Sequence, residues 1–321
     1  MKMMVFVLVI ISLLACRNDS GGVSPVGEPS PKVELQKDTE KRKPEDQVFY
    51  QPPIAEVSLP SKENKPKKED WKLIDTYKVN GADLSGVGAV NHNLILLSDT
   101  LHSTLLKVDL ESRTDAVLIK DMKSVYLNFK KGRLMMPQYD KDSVFVYRGE
   151  PRLFKFQIPF ALDKPTSMDA FRIDDFVVVD RGNNRLVSNK AGDFKLIGGK
   201  GAGPLQFNNP SAIITIGNSL FLTDTGNKRI QKINVDNTLE KSFGDGTLSQ
   251  PGGVTSDGRI LFVCDEGLDQ ILLYNLEGNL LYSLKNELTD PRDIHFFKGR
   301  LFVSDAEGTV KIFENSAYSS L

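Results

Sequence analysis

Between Trp71 and Glu314 one arrangement of apolar and polar positions recurs six times. Six short apolar runs end in a polar residue, which is Asp in five of them: Ile95–Asp99, Leu134–Gln138, Phe176–Asp180, Leu220–Asp224, Leu261–Asp265 and Leu301–Asp305. Their starts lie 39, 42, 44, 41 and 40 residues apart. A shorter apolar strand precedes each run: Gly86–Val90, Ser124–Phe129, Ser167–Phe171, Ala212–Ile216, Gly253–Thr255 and Asp293–Phe297. A polar turn and an alternating strand follow: Leu105–Val108, Val144–Tyr147, Leu186–Ser188, Ile230–Ile233, Ile271–Tyr274 and Val310–Phe313. A fourth strand precedes the next unit, as in Leu239–Phe243 and Leu280–Leu284. Alternation with period two excludes a helical repeat of similar length. Four short strands every forty or so residues predict the blades of a propeller.

Counting the strands adds a prediction about topology. The sixth unit lacks a fourth strand, because the chain ends soon after Phe313. Trp71–Val79 is an unassigned strand just before the first unit. It is expected to pair with the last blade and close the ring, which removes free sheet edges. The expected fold class is all-β, a six-bladed β-propeller closed by an N-terminal strand and preceded by a disordered tether. The expected domain spans 71–315, with a short tail at 316–321. Pro137 and Gln138 break the pattern in the second blade, and Pro suits an edge or bulge, so that blade is expected to be irregular.

Two segments resemble NHL repeats. One is Gly198-Gly199-Lys200-Gly201-Ala202-Gly203-Pro204-Leu205-Gln206-Phe207-Asn208-Asn209-Pro210 together with Leu220 to Ile230. The other is Phe176 to Leu186, containing Asp180-Arg181-Gly182-Asn183-Asn184-Arg185. The fifth blade matches more loosely, and the others match by spacing. The chain is similar to bacterial lipoproteins with six-bladed NHL-type propellers. Physically, the Asp–Gly–Asn–x–Arg pattern is a turn device, in which Asp and Asn bind nearby backbone and Arg reaches back to the carboxylate. Asp180, Arg185, Asp224 and Arg229 are therefore read as structural.

The first 16 residues bear on compartment. Lys2 precedes an apolar run from Met3 to Ala15, interrupted only by Ser12. That run is short for a membrane span and suits a signal-peptide core. Leu13-Leu14-Ala15-Cys16 resembles a bacterial lipobox, which implies a lipoprotein signal peptide over 1–15 and palmitate or a similar acyl chain on Cys16. Arg17 after the anchor favours the outer membrane over inner-membrane retention. Residues 16–70 are rich in Pro, Lys, Glu and Ser and poor in apolar residues, so a disordered linker is expected. As a flexible coil it would span roughly 40 Å. The expected location is the bacterial cell envelope, on its periplasmic or surface face.

Composition narrows the chemistry. The formal net charge is -1, which with an exported chain excludes nucleic acid and the RNA binding of some animal NHL proteins. Cys16 and Cys264 supply neither a disulfide framework nor a cysteine-rich zinc site, and Cys264 is read as an apolar filler. There is no Gly-x-Ser-x-Gly elbow. Resemblance to the amidating lyase would imply zinc on several His, but His92 and His102 fall at opposite ends of a blade. No metal ligand is assigned. The leading expectation is a monomeric, membrane-anchored module that binds a protein, peptide or glycan, without cofactor. The alternative is a calcium-dependent hydrolase or lactonase with calcium in the central tunnel. The turns after each second strand and the connections into each first strand share one end of the disc. Candidate ligand-binding residues there are Arg181, Asn184, Lys200, Gln206, Asn208, Lys228, Asp269 and Arg292, with His295 on an innermost strand.

If Cys16 carries the lipid, Cys16→Ser will abolish labelling by radioactive palmitate and release the protein from the membrane fraction. Unchanged membrane association after that exchange would contradict the anchor.

Overall fold

A computed structural model describes residues 67–130, 132–148, 153–172, 175–285 and 287–318. The leader, Cys16 and the linker through residue 66 lie outside the described residues, as do 319–321 of the tail. The rest forms six four-stranded antiparallel sheets. Blade 1 is β2 (Leu84–Ala89), β3 (Leu94–Asp99), β4 (Thr104–Asp109) and β5 (Thr114–Lys120). Blade 2 is β6 (Asn128–Lys130), β7 (Arg133–Gln138), β8 (Ser143–Tyr147) and β9 (Leu153–Lys155). Blade 3 is β10 (Pro165–Ala170), β11 (Phe176–Asp180), β12 (Arg185–Lys190) and β13 (Asp193–Ile197). Blade 4 is β14 (Pro210–Ile216), β15 (Ser219–Asp224), β16 (Arg229–Asn234) and β17 (Leu239–Phe243). Blade 5 is β18 (Pro251–Ser256), β19 (Ile260–Asp265), β20 (Gln270–Asn275) and β21 (Leu280–Leu284).

Blade 6 contains β22 (Pro291–Phe297), β23 (Arg300–Asp305) and β24 (Thr309–Asn315), with β1 (Trp71–Lys78) as its fourth strand. The register runs from Trp71 opposite Asn315 to Lys78 opposite Thr309, with one bulge between Leu73 and Asp75. Trp71 then packs edge-on to Phe262 of blade 5 at 5.6 Å, so ring closure also buries the aromatic seam between blades 5 and 6. The packing continues past the expected boundary at 315. Tyr318 is buried against Trp71 and Phe296, and its hydroxyl donates to Asp257 at 2.5 Å.

The apolar runs of the sequence are the second strands, and they are the most buried elements. Phe176 to Asp180 and Ile260 to Asp265 are buried throughout. Side chains of neighbouring blades interdigitate into clusters such as Val177, Val179, Ile213 and Leu222 between blades 3 and 4. Cys264 sits in such a cluster, and burial raises its thiol pKa well above the usual range, consistent with a filler.

Blade 2 is irregular, in a specific way. The stretch Ser124–Phe129, expected as its inner strand, pairs with β7 only from Asn128 onward. No strand lies inside Pro137, whose ring nitrogen has no hydrogen to donate to one. Residues 124–127 instead enter the axis. Ser85 and Ser98 of blade 1 both donate to the Ser124 carbonyl, and Ser124 donates to the Pro137 carbonyl. Tyr126 donates its backbone N–H to Thr166 of blade 3 and packs among Ala212, Val254 and Val263 of blades 4 and 5. Asp293 of blade 6 accepts the N–H groups of Val87 (3.0 Å) and Leu127 (3.2 Å) on one carboxylate oxygen. Farther along, the Asn128 amide reaches Met168 and Ile213 carbonyls, and Lys130 reaches Asp169 and the Thr215 carbonyl. Opposite blades thus meet through the axis, and the tunnel is filled.

Close approach at the axis requires glycine. A Cβ on Gly253 would lie 2.5 Å from an Asp293 carboxylate oxygen, and one on Gly86 would lie 2.8 Å from Leu127.

Two outcomes follow from this architecture. Ending the chain before Lys311 removes most of the partner of β1, so cooperative thermal unfolding of the domain will be lost; a retained sharp transition would contradict closure. Burial raises the Asp293 carboxyl to about 7, against the lowering effect of its three backbone N–H donors. A carboxyl whose folded pKa exceeds its unfolded value adds stability below the unfolded pKa and loses it as pH rises through about 7. Wild type will therefore gain stability relative to Asp293→Asn between pH 8 and pH 6, by up to about 1.4 kcal/mol per pH unit, read as urea midpoints. A pH-independent difference would refute the assignment.

Candidate functional site

At the end of the disc where second strands finish, a repeated polar device fixes the loops. In four blades the Asp ending the second strand accepts the N–H of the connection entering its own blade: Asp99 from Asp83, Asp180 from Asp163, Asp224 from Asn208, and Asp265 from Ser249 and Gln250; Asp305 of blade 6 instead accepts from Glu307 and Thr309 in the turn that follows it. In blades 3 and 4 the other carboxylate oxygen takes the Asn and Arg of the Asp–Gly–Asn–x–Arg pattern. Arg185 Nε lies 2.7 Å from Asp180, and Arg229 Nε lies 2.8 Å from Asp224. Both Asp residues are fully buried. The structural reading of these four residues accounts for all of these bonds.

A second device links blades 2, 3 and 5 to the blade that follows each. Asp142, Asn184 and Asp269 occupy one repeat position with φ of 47°, 52° and 51°. Their side-chain oxygens accept the N–H of Lys164, Asn209 and Asp290, each at the entry of the following blade. Lys228 holds the same left-handed position in blade 4, with φ 54°. Asn184 and Asp269 thereby use a side-chain oxygen as a staple, at a turn position where Asn and Asp tolerate positive φ.

The other candidates are dispersed. Lys200, Gln206 and Asn208 lie on the loop from blade 3 to blade 4, which wraps the buried Phe207. The Gln206 side chain accepts from Gly203, and the Asn208 carbonyl accepts from Gly226. His295 lies on β22 beside the axis, where desolvation lowers its pKa to about 4 and keeps it neutral. His102 bonds Asp99 at the loop end, whereas His92 lies at the opposite end, edge-on to Phe297. Among the described residues no group of three or more His, Cys, Asp or Glu is placed to hold a metal ion.

Arg181 and Arg292 both lie near Glu266 at the mouth of the filled tunnel. A recess of about 250 Å³ there is lined by Tyr126, Tyr139, Arg181, Ser211, Thr225, Gln250 and Glu266, among others. Tyr126 forms the axial side of this recess, and burial raises its phenol pKa. Arg181 donates to Ser211 at 2.5 Å; Ser211 and Thr225 share a hydroxyl bond of 2.6 Å; Thr225 donates on to the Pro251 carbonyl. Glu266 faces this chain from blade 5. Desolvation, then the nearby Asp290, raises its carboxyl pKa, partly offset by Arg292 and by a hydrogen bond from Gln250. Arg292 also binds Asp83 at 2.6 Å across the blade 6 to blade 1 boundary.

Of the residues that line the recess, the sequence reading named Arg181 but not Tyr126, Tyr139, Ser211, Thr225, Gln250 or Glu266. A usable signal existed in the repeat. The residue directly after the polar end of each second strand is Thr100, Tyr139, Arg181, Thr225, Glu266 and Ala306 in turn. The four from blades 2 to 5 all line the recess.

No protein-family model matches the chain, and no curated protein does. Solved structures match its fold. Virginiamycin B lyase from Staphylococcus aureus superposes with a TM-score of 0.57 at 12% identity, covering 76% of this chain and 99% of that one. A protein of unknown function from Bacteroides thetaiotaomicron gives 0.58 at 14% identity, covering 76% and 75%. The WD40 propeller domain of Doa1 gives 0.57 at 13% identity, covering 77% and 98%. At such identities the likeness establishes the all-β propeller fold and nothing about chemistry.

Removal of one partner from a buried pair leaves an uncompensated charge, so Arg229→Ala should cost about 3 kcal/mol by chemical denaturation. A loss under about 0.5 kcal/mol, the usual range for a surface exchange, would contradict the structural role.

Proposed function

We propose that this protein is an extracytoplasmic lipoprotein, tethered through Cys16, whose NHL-type propeller binds a protein, peptide or glycan partner at the tunnel mouth. The observation that carries the reading is the recess itself: polar side chains from blades 2 to 5 converge there, over an axis that is filled. Ligand sites combine concavity with a few convergent polar groups, and loops on a rigid scaffold supply them. Both halves of that description fit. The Asp and Asn staples hold the loops, so little ordering entropy remains to be lost on binding.

The side chains suit a compact polar group of the partner. Arg181 is oriented by Ser211 and offers guanidinium donors. Glu266 accepts, and Tyr126 and Tyr139 add aromatic surface with polar tips. Arg292 and Asp83 form the neighbouring rim. The composition is that of a recognition surface, with no nucleophile–base pair among these residues. The lipobox resemblance and the Asp–Gly–Asn–x–Arg turns support the envelope location and the NHL reading respectively.

A photo-cross-linking residue at Tyr139, in the native envelope, tests this directly. It is expected to trap one discrete adduct, and Arg181→Ala combined with Glu266→Gln should reduce that adduct at least ~10-fold, as truncating buried polar contacts usually does. An adduct that survives the double exchange, or appears only from probes at the opposite end such as Lys298, would overturn the reading.

A further inference from the structure

The mouth recess carries two opposite charges, and their placement narrows what it can take. Arg181 of blade 3 and Glu266 of blade 5 each follow the last residue of a second strand and line the recess. Blade 4 lies between them and contributes the hydroxyls of Ser211 and Thr225. Arg181 donates to Ser211, and Thr225 donates to the Pro251 carbonyl, so the proton shared by the two hydroxyls comes from Ser211. Both hydroxyl protons on this stretch of wall are therefore committed, and free capacity sits at its two ends.

One Arg181 nitrogen serves Ser211, whereas a guanidinium has five N–H donors. Among the described residues Arg181 enters no ion pair. At the other end the Gln250 amide donates to one Glu266 oxygen. The second oxygen meets Arg292 Nε only at 3.9 Å, and Arg292 is drawn to Asp83 at 2.6 Å. Burial, then the nearby Asp290, raises the Glu266 carboxyl pKa, the sign of a carboxylate short of compensating charge.

A ligand that satisfies both ends has an anionic acceptor on one side and a cationic donor on the other. A carboxylate matches the guanidinium fork, and an ammonium brings three donors to Glu266. A neutral amide or diol would desolvate both charges and supply a countercharge to neither. Size agrees as well. The recess of about 250 Å³ exceeds the roughly 150 Å³ that holds benzene, so a short side chain fits beside the charged atoms. Tyr126, Tyr139 and Pro251 give that side chain apolar wall.

We propose that the recess binds an α-amino-acid zwitterion, with its carboxylate on Arg181 and its ammonium on Glu266, an inference that rests on the mouth being the partner site. Two sources present this group. One is a free amino acid. The other is a peptide containing a diamino acid that is bonded through its side-chain nitrogen and keeps its α-amino and α-carboxyl groups free.

The full chain, labelled with carbon-13 at its threonine methyls and held in lipid nanodiscs, is titrated with leucine, N-acetylleucine and leucinamide. Thr166 and Thr225 report from the recess wall. Leucine should shift both signals saturably. N-acetylleucine lacks the ammonium and leucinamide lacks the carboxylate, and each should bind at least ~10-fold more weakly. Arg181→Gln should remove the preference over leucinamide and keep that over N-acetylleucine, and Glu266→Gln should do the reverse, with unchanged urea midpoints verifying that both variants fold. Nε-acetyllysine stands for the side-chain-linked peptide: tighter binding than leucine assigns the peptide source, and weaker binding the free amino acid. Equal binding of the three leucine compounds, or no shift at Thr166 and Thr225, would overturn the zwitterion. Loss of the Tyr139 adduct in the Arg181→Ala, Glu266→Gln variant would even then uphold the mouth as the partner site, so the two readings fail separately.

Discussion

The antiparallel pairing of β1 with β24 is the constraint on which the rest of this domain depends. It joins residues more than two hundred positions apart and builds the last blade from both ends of the domain. Each blade buries its faces only against its neighbours, so an open ring would expose two complete apolar faces and two unpaired edges. The pairing also carries Trp71 into the seam of blades 5 and 6, where Phe262, Phe296 and Tyr318 meet it. The axis adds a second bond around the circle. Asp293 gathers amides from blades 1 and 2, while Tyr126 crosses toward blades 4 and 5. A propeller whose centre is filled behaves as one cooperative body, because no blade can leave without breaking contacts on the axis as well as on its sides.

Much of this was legible in the sequence because it depends on local pattern. The five Asp-terminated runs read as second strands, and they are. The surplus strand at Trp71 followed from a count alone. Pro137 marked blade 2 as irregular, yet the consequence was hidden. Ser124 to Phe129 alternates like an inner strand, and only the tertiary arrangement shows that Ser124–Leu127 gains more by bonding across the axis than by pairing with β7. The candidate site was harder. Residues that looked chemical on the loops, Asn184 and Asp269 above all, turned out to bind the next blade's backbone. The recess is built instead from a repeat position with no motif character, where Tyr139, Arg181, Thr225 and Glu266 differ from blade to blade. Variation at one position within a constant frame is how a repeat scaffold carries a site, and alignment of the blades against one another exposes it.

The two ends of the disc divide the chemistry. The strand-end loops form a polar, closely held mouth, and the opposite end holds a slot between blades 2 and 3 lined by Met135, Val146, Phe156, Met168 and Phe176, among others. Trp71 lies beside Asn315 and Tyr318, near the turn at Gly299, so the described chain enters at the slot end.

Native-state amide hydrogen exchange tests the central claim, that closure and the filled axis make one cooperative unit. The amides of Val87 and Leu127, bound to Asp293 across the axis, and those β1 amides that face β24, Tyr77 among them, should exchange only through global unfolding. Their free energies of opening should coincide with each other and with the denaturant-derived stability of the domain. Opening of the β1 amides or of Leu127 at a markedly lower free energy would show that the ring or its axis opens on its own, and would contradict the account.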